Sequence, residues 1–81
     1  MSTRVNRQLM DLISDAYIDW REECDAVRRT YRAWSVAPRG QRDLTFHAYA
    51  GALNREQDAA NNYAAVIRHA TEVIAEPARA A

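Results

Sequence analysis

The sequence predicts an all-α fold: an antiparallel two-helix hairpin, similar to a coiled coil, that pairs with a second copy in a four-helix bundle. Apolar residues recur at steps of three and four in both halves of the chain, which is the spacing of helices wound around each other. Only two Gly and two Pro are present, so the chain has few places to break, and one of each lies near the middle, at Pro38 and Gly40.

Each half carries one row of residues that keeps the heptad spacing for about four repeats. In the first half the row consists of Met10, Ile13, Tyr17, Trp20, Cys24, Val27, Tyr31 and Trp34. In the second half it consists of Phe46, Tyr49, Leu53, Glu56, Ala60, Tyr63, Ile67, Ala70 and Ile74. A row of this kind lies along one face of a helix, so we expect the two rows to face each other.

The two rows fit each other if the chain reverses at Gly40. Residues whose numbers sum to 80 then lie at the same level, and every member of the first row meets a member of the second. Trp20 faces the small Ala60, and Met10 faces the small Ala70. Such alternation of size suits interdigitated packing.

The turn residues also predict the boundaries. Pro38 disfavours helical geometry at the preceding residue, Gly40 begins the second helix with Asp43 in its first turn, and Pro77 ends that helix. We predict one helical-hairpin domain over residues 1–81, with a helix over about 3–36, a turn at 37–40, a helix over about 41–75 and a tail at 76–81.

Composition narrows the functional classes. Eleven basic and eleven acidic residues balance, so no net charge points to nucleic acid or to a membrane surface. The only cysteine, Cys24, cannot form an internal disulfide, and the N-terminal residues lack the apolar run of a signal peptide. We therefore expect a soluble, cytoplasmic protein that does not contact a membrane.

Residues that could carry catalysis or bind a metal do not converge within one hairpin. Cys24 would need a nearby base to act as a nucleophile, but His47 and His69 lie roughly 14 and 20 Å from its level along the second helix. His69 and Glu72 reverse the Glu-x-x-His order of ferritin-like metal sites. We expect no enzymatic activity, metal or cofactor.

A further set of apolar residues beside the two rows predicts self-association. The set consists of Val5, Leu9, Leu12, Ala16, Val66 and Val73. A stripe widened in this way suits a helix with more than one neighbour, as in a four-helix bundle. We expect a homodimer, with a different helical protein as the alternative partner. The predicted function is therefore a non-enzymatic interaction or structural module acting through self-association and protein–protein contacts.

Glu56 is the one charged residue in the predicted contact between the helices. A carboxylate there must be hydrogen-bonded, paired or able to reach solvent. The indole N–H of Trp20, a tyrosine hydroxyl, Arg28 and Arg55 are the candidate partners. One interpretation is a buried polar group that fixes the register or the choice of partner, and the other is a long side chain that bends out to water.

Basic residues cluster around the turn, at Arg28, Arg29, Arg32, Arg39 and Arg42. Together with Tyr31 and Trp34 they suggest an alternative function, a polyanion or nucleic-acid binder. The simpler interpretation is that the helix dipole favours arginine near a helix C-terminus. Because this interpretation needs no ligand, we rank nucleic acid below protein as the partner.

The chain also resembles the small secreted helical hairpins of the WxG type, in its length and in a Trp near the turn, within Trp34-Ser35-Val36. Val36 stands where that motif has Gly, and Ile67 stands where the Tyr-x-x-x-Asp signal, counted from Tyr63, has Asp. The resemblance implies a secreted WxG-like hairpin as a further alternative.

Overall fold

Two long helices make up the structure. The computed structural model describes the backbone of residues 3–80 and the side chains of residues 4 and 6–74. Helix α1 spans Thr3–Ser35 and helix α2 spans Arg42–Ala80, with a short 3-10 helix at Arg39–Gln41 between them. The helices pack against each other in a hairpin of 64 × 19 × 12 Å, and the described residues include no strand. The predicted all-α hairpin fold is confirmed.

Pro38 shapes the connection between the helices. Its φ of −62° and ψ of 157° are extended, and its ring disfavours helical geometry at Ala37. The N–H of Ala37 donates to the carbonyl of Trp34 at 3.3 Å and closes the end of α1, while the N–H of Gln41 donates to the carbonyl of Pro38 at 2.9 Å. Asp43 lies in the first turn of α2, as predicted.

The C-terminal end of α2 differs from the prediction. The helix continues through Pro77 to Ala80 instead of ending near residue 75. A proline lacks the N–H for a helical hydrogen bond and its ring crowds the carbonyl four residues earlier, but its fixed φ of about −65° is helical, so the helix can continue beyond it. The side chains of residues 75–80 and of Val5, one of the predicted self-association residues, lie outside the described part of the chain, as does Ala81.

Each helix is rotated relative to the predicted contact. Four residues of each predicted row are buried or half-buried as expected: Ile13, Trp20, Val27 and Trp34 of α1, and Tyr49, Glu56, Tyr63 and Ala70 of α2. Of the remaining members, Cys24 and Ala60 are half-buried and the others are exposed. The residues one position before these remaining members also enter the contact. These are Leu9, Ala16, Glu23 and Thr30 of α1, and Thr45, Ala52, Ala59, Val66 and Val73 of α2, all buried or half-buried.

Side-chain size explains this rotation. The buried residues among those described are Leu9, Ala16, Ala52 and Ala70, and Ala52 is 0 % exposed. Packed helices lie about 8–10 Å apart, and small residues on the contact line favour the shorter distance. The rings of Tyr17 and Tyr31 are larger than the adjacent Ala16 and Thr30, so they lie at the exposed edge of the contact and pack against Trp20 and Trp34.

The rotation also changes the role of the residues predicted to bind a second copy. Leu9 and Ala16 are only 8 % and 3 % exposed, and Val66 and Val73 are half-buried. These four belong to the contact between α1 and α2, so they offer little surface to a partner. Leu12 is exposed, but it lies on the opposite flank of the hairpin from the large apolar residues described below. Of the five described residues in this set, Leu12 is the one that is exposed, and self-association through them stays a prediction.

Candidate interaction surface

Three aromatic rings pack together midway along the hairpin. The rings of Trp20 and Tyr63 are stacked, with centroids 5.8 Å apart and planes inclined by 10°. Tyr17 meets both rings at steeper angles, 6.1 Å from Trp20 and 5.8 Å from Tyr63. The Tyr-x-x-Trp spacing brings the two α1 rings together because residues three apart are neighbours on a helix. We call this cluster the central triad.

A second cluster repeats the arrangement two heptads nearer the turn. Trp34 and Tyr49 are stacked with centroids 5.6 Å apart and planes inclined by 12°. Tyr31 lies 6.1 Å from Trp34 and 5.5 Å from Tyr49. We call these three residues the turn triad; Phe46 adds a further ring, 5.4 Å from Trp34. The α1 members follow those of the central triad by fourteen residues and the α2 member precedes its counterpart by fourteen, as an antiparallel pair requires.

These ring contacts fix the register of the hairpin. Three predicted pairs, each with numbers that sum to 80, are in contact: Tyr17–Tyr63, Tyr31–Tyr49 and Trp34–Phe46. The predicted level of each helix against the other is therefore correct, although the contacting faces are rotated.

Each triad has a charged side chain against its tryptophan, and the two side chains differ in the sign of their charge. The indole N–H of Trp20 donates a 2.8 Å hydrogen bond to Oε2 of the half-buried Glu56, so Glu56 has one of the partners that the sequence indicates. The equivalent position of the turn triad, fourteen residues earlier, is Arg42. Its guanidinium lies over the ring of Trp34, 5.7 Å from the centroid. A carboxylate accepts the N–H of one indole, and a cation faces the π electrons of the other.

The two flanks of the hairpin differ in chemistry. One flank, which we call the apolar side, carries the residues displaced from the predicted contact. It consists of Met10, Tyr17, Cys24 and Tyr31 of α1, and Phe46, Leu53, Ala60, Ile67 and Ile74 of α2. All except Cys24 and Ala60 are exposed, by fractions from 38 % at Ile67 to 69 % at Ile74.

The rows of the two helices lie next to each other on this apolar side. At the open end of the hairpin, Met10 of α1 and Ile74 of α2 line one shallow groove together with Ile13 and Ala70. Towards the turn, the rows are joined by the contact of Tyr31 with the turn triad. The apolar side is therefore one long surface made by both helices.

The opposite flank, which we call the polar side, has small and hydrophilic residues with one exception, Leu12. It consists of Leu12, Asp19, Ala26 and Ala33 of α1, and Ala48, Arg55, Asn62 and His69 of α2. Nε of Arg55 donates to Oε1 of Glu23 at 3.3 Å and links the two helices there. Such a flank is readily solvated.

The basic turn is partly engaged with its own neighbours. Nη1 of Arg28 pairs with Oδ1 of Asp25 at 2.6 Å, and Arg42 lies over Trp34. Arg28 and Arg32 also border a shallow surface with Tyr31. This surface is at the C-terminal end of α1, where the helix dipole is negative and does not favour an anion. Arg29 and Arg39 are exposed.

Potential sites for chemistry are sparse. Cys24 is a half-buried free thiol on the apolar side. Among the described side chains, no three His, Cys, Asp or Glu residues are grouped so that they could hold a metal ion. Within residues 3–80, neither helix has an apolar stretch long enough to cross a bilayer.

Compared with protein-family models, curated proteins and solved structures, the chain matches none. The apolar side must therefore be interpreted from its own residues. Sequence reasoning named every residue of this surface but assigned all of them to the contact between α1 and α2. One feature of the sequence could have revealed the apolar side. Each helix carries two adjacent rows with heptad spacing, one of mostly small residues and one of mostly large residues.

Proposed function

We propose that the chain is a non-enzymatic helical interaction or structural module that acts through self-association and protein–protein contacts. The observation that carries the proposal is the apolar side, where large apolar residues of both helices are exposed along the hairpin. Contiguous apolar patches of this kind mark interaction surfaces in soluble proteins. The partner that we propose is a second copy of the chain.

The exposed area supports a partner of substantial size. The chain exposes 6323 Å², whereas a compact monomer of 9.2 kDa exposes about 4,900 Å². The excess is about 1,400 Å² per chain, and obligate homodimers bury about 2,000–5,000 Å² in total. If each of two chains buries this excess against the other, the total buried area falls within the range of obligate homodimers.

The small core of the hairpin supports the same conclusion. The described side chains include no large one that is fully buried, and three of the four buried residues are alanines. A core in a chain of this length rarely supplies more than about 3–5 kcal/mol. Covering the apolar side with a second copy would add burial at about 25 cal/mol per Å² of apolar surface.

Two parts of the proposal have alternatives. A different helical protein is the other possible occupant of the apolar side, in which case the isolated chain is monomeric. We also propose a cytoplasmic location, supported by the single free cysteine; the alternative is a secreted WxG-like hairpin.

A polyanion or nucleic-acid binder is the second candidate function. The shallow surface bordered by Arg28, Tyr31 and Arg32 favours it, because two guanidinium groups beside an aromatic ring suit a phosphate and a base. We rank it below self-association because Arg28 is already paired with Asp25 and the helix dipole opposes an anion at this end of α1.

Light scattering on the purified chain at micromolar concentration tests the proposal. We expect a mass of twice the 9.2 kDa chain. Leu53→Glu combined with Ile67→Glu places two charges on the apolar side and should raise the dimer Kd by at least about 100-fold, since two charges would be desolvated. A well-folded wild-type monomer would contradict self-association, whatever the variant does.

The matched control is Ile18→Glu combined with Leu44→Glu. These residues are 52 % and 73 % exposed and lie on the outer faces of the two helices, so the control replaces the same two residue types and adds the same charge elsewhere. We expect the control variant to remain a dimer with an unchanged Kd. Equal weakening by both variants would show that the apolar side is not the interface.

A further inference from the structure

Helix α2 carries a second heptad row on the apolar side, beside the row that contacts α1. It begins at Phe46 and ends at Ile74, alternating steps of four and three, so it has the same spacing as the row that contacts α1. A helix with two adjacent heptad rows is suited to two helical neighbours. We infer that α2 pairs antiparallel with α2 of a second copy, about a two-fold axis at Ala60; this inference rests on the proposed self-association.

The order of side-chain sizes in the second row is nearly palindromic about Ala60. Antiparallel pairing about this residue places Phe46 opposite Ile74 of the second copy and Leu53 opposite Ile67, so the large exposed side chains meet each other. At the axis Ala60 meets Ala60. A two-fold interface must be self-complementary, because the same surface serves both copies.

The positions between these large residues obey the same symmetry. Gln57 lies within one residue, about 1.5 Å, of the level of Ala64 of the second copy, and Ala50 lies equally close to the level of Thr71. Each pair contains at least one small residue, so the side chains between the large pairs do not hold the two α2 backbones apart. The second copy therefore meets the row without a clash of two bulky side chains between the large pairs.

The apolar row of α1 is centred on the same axis. It runs from Met10 to Tyr31, so its midpoint lies at residues 20–21, and the register of the hairpin places Ala60 at that level. With a two-fold axis at this level, each apolar row is covered along its whole length by the second copy. The α1 row is flanked by Arg7, Arg21 and Arg28, all exposed, and these long side chains keep the α1 helices farther apart than the α2 helices by extending to solvent.

Charge favours the antiparallel orientation over the parallel one. Residues 28–43 carry five arginines and one acid, Asp43. A parallel dimer would place two such basic turns together, whereas the antiparallel dimer separates them by the length of the hairpin. Like charges held close together disfavour the parallel arrangement.

Disulfide trapping tests the axis. In a Cys24→Ala background, Ala60→Cys should cross-link most of the protein into a covalent dimer under mild oxidation, because Cβ atoms of the two copies near the axis can approach to about 4 Å. Ala64→Cys alone should not cross-link, since its two copies lie about 12 Å apart along the axis. Adding Gln57→Cys to Ala64→Cys should restore cross-linking through the 57–64 pair.

A distance measurement separates the two orientations. Spin labels at Asp43→Cys, in the same background, should lie about 50 Å apart in the antiparallel dimer. A dimer with labels closer than about 25 Å, which is half that helical distance, or a dimer that does not cross-link through residue 60, overturns the α2 pairing and leaves self-association intact. A monomer in light scattering overturns both.

Discussion

The central triad and the turn triad have nearly the same ring geometry but opposite charged neighbours. Their stacked pairs differ by 0.2 Å in centroid distance and by 2° in inclination, from 5.8 Å and 10° to 5.6 Å and 12°. Beside the central triad Glu56 accepts the N–H of Trp20, and beside the turn triad Arg42 lies over Trp34. Heptad spacing and register therefore determine ring packing, while the adjacent position tolerates either sign of charge.

The two triads also differ in how firmly the charged group is held. Glu56 is half-buried, whereas Arg42 is exposed. A buried or half-buried carboxylate depends on its hydrogen-bond donor, because an unpaired charge away from water is costly. An exposed guanidinium over a ring contributes little, since water can replace the ring. The matched positions of the triads allow each difference to be tested within one molecule.

The largest effect should come from removing the α2 ring of either triad. Tyr63→Ala and Tyr49→Ala each delete a half-buried ring that stacks on a tryptophan, and each should lower the free energy of unfolding by about 2 kcal/mol. Urea denaturation followed by circular dichroism measures both. If Tyr63→Ala lowers the free energy of unfolding and Tyr49→Ala leaves it unchanged, the turn triad does not stabilise the hairpin as the central triad does.

Replacing the tryptophans by phenylalanine should distinguish the triads. Trp20→Phe removes the donor to Glu56 and should cost about 1–2 kcal/mol, because a charged acceptor is left without its partner. Trp34→Phe is the matched control. It should lower the free energy of unfolding by about 1 kcal/mol less than Trp20→Phe does, because the described contacts include no hydrogen bond from the Trp34 indole.

A double variant checks the cause of that difference. In a Glu56→Leu background, Trp20→Phe should cost no more than Trp34→Phe does in the wild type, because no carboxylate remains to be left unpaired. A full cost that persists in this background would assign the effect to lost packing of the indole instead of the lost hydrogen bond.

Glu56→Leu by itself should leave the melting temperature unchanged or raised. The neutral indole N–H loses its acceptor, but a half-buried polar group is replaced by an apolar one, and the net change should stay within about 1 kcal/mol. We also expect a broader range of oligomers in light scattering, since a polar group that restricts pairing has been removed. Loss of several kcal/mol with unchanged assembly would show instead that Glu56 anchors a required polar network.

The smallest effect should come from the basic turn. Arg39→Gln combined with Arg42→Gln should change the free energy of unfolding by no more than about 0.5 kcal/mol, because both side chains are exposed. Gel shifts with single-stranded or duplex nucleic acid should show no binding at about 150 mM salt, since few phosphate contacts give only weak affinity. Tight, salt-sensitive binding that disappears in the double variant would reverse the ranking of the two functions.

The sequence predicted a large part of the fold. The heptad rows predicted the two helices, and Pro38 predicted the turn. The rule that the numbers of paired residues sum to 80 predicted three of the ring contacts between the helices. It also named Trp20 as a partner of Glu56. At the C-terminal end, α2 continues past residue 75 to Ala80, because the fixed φ of Pro77 is compatible with a helix even though the residue weakens it.

The rotation of the helices could not be predicted in this way. Residues such as Ala16 and Tyr17, or Ala52 and Leu53, are neighbours in the chain and satisfy the same heptad spacing. Periodicity therefore left two adjacent rows on each helix, and choosing between them rotates the helix by about 50°, half of the 100° between successive residues. The larger residue of each such pair was assigned to the contact, although the helices place the smaller one there.

The sequence by itself thus determined the helical elements, their antiparallel order and their level along the hairpin, because spacing and turn chemistry are local properties of the chain. Only the tertiary structure decided which row lies between the helices and which remains on the apolar side. The physical reason is close packing: alanines such as Ala52 let two backbones approach, and the larger residues next to them in the chain, such as Tyr17 and Leu53, then remain at the exposed edge of the contact. That choice depends on both helices at once.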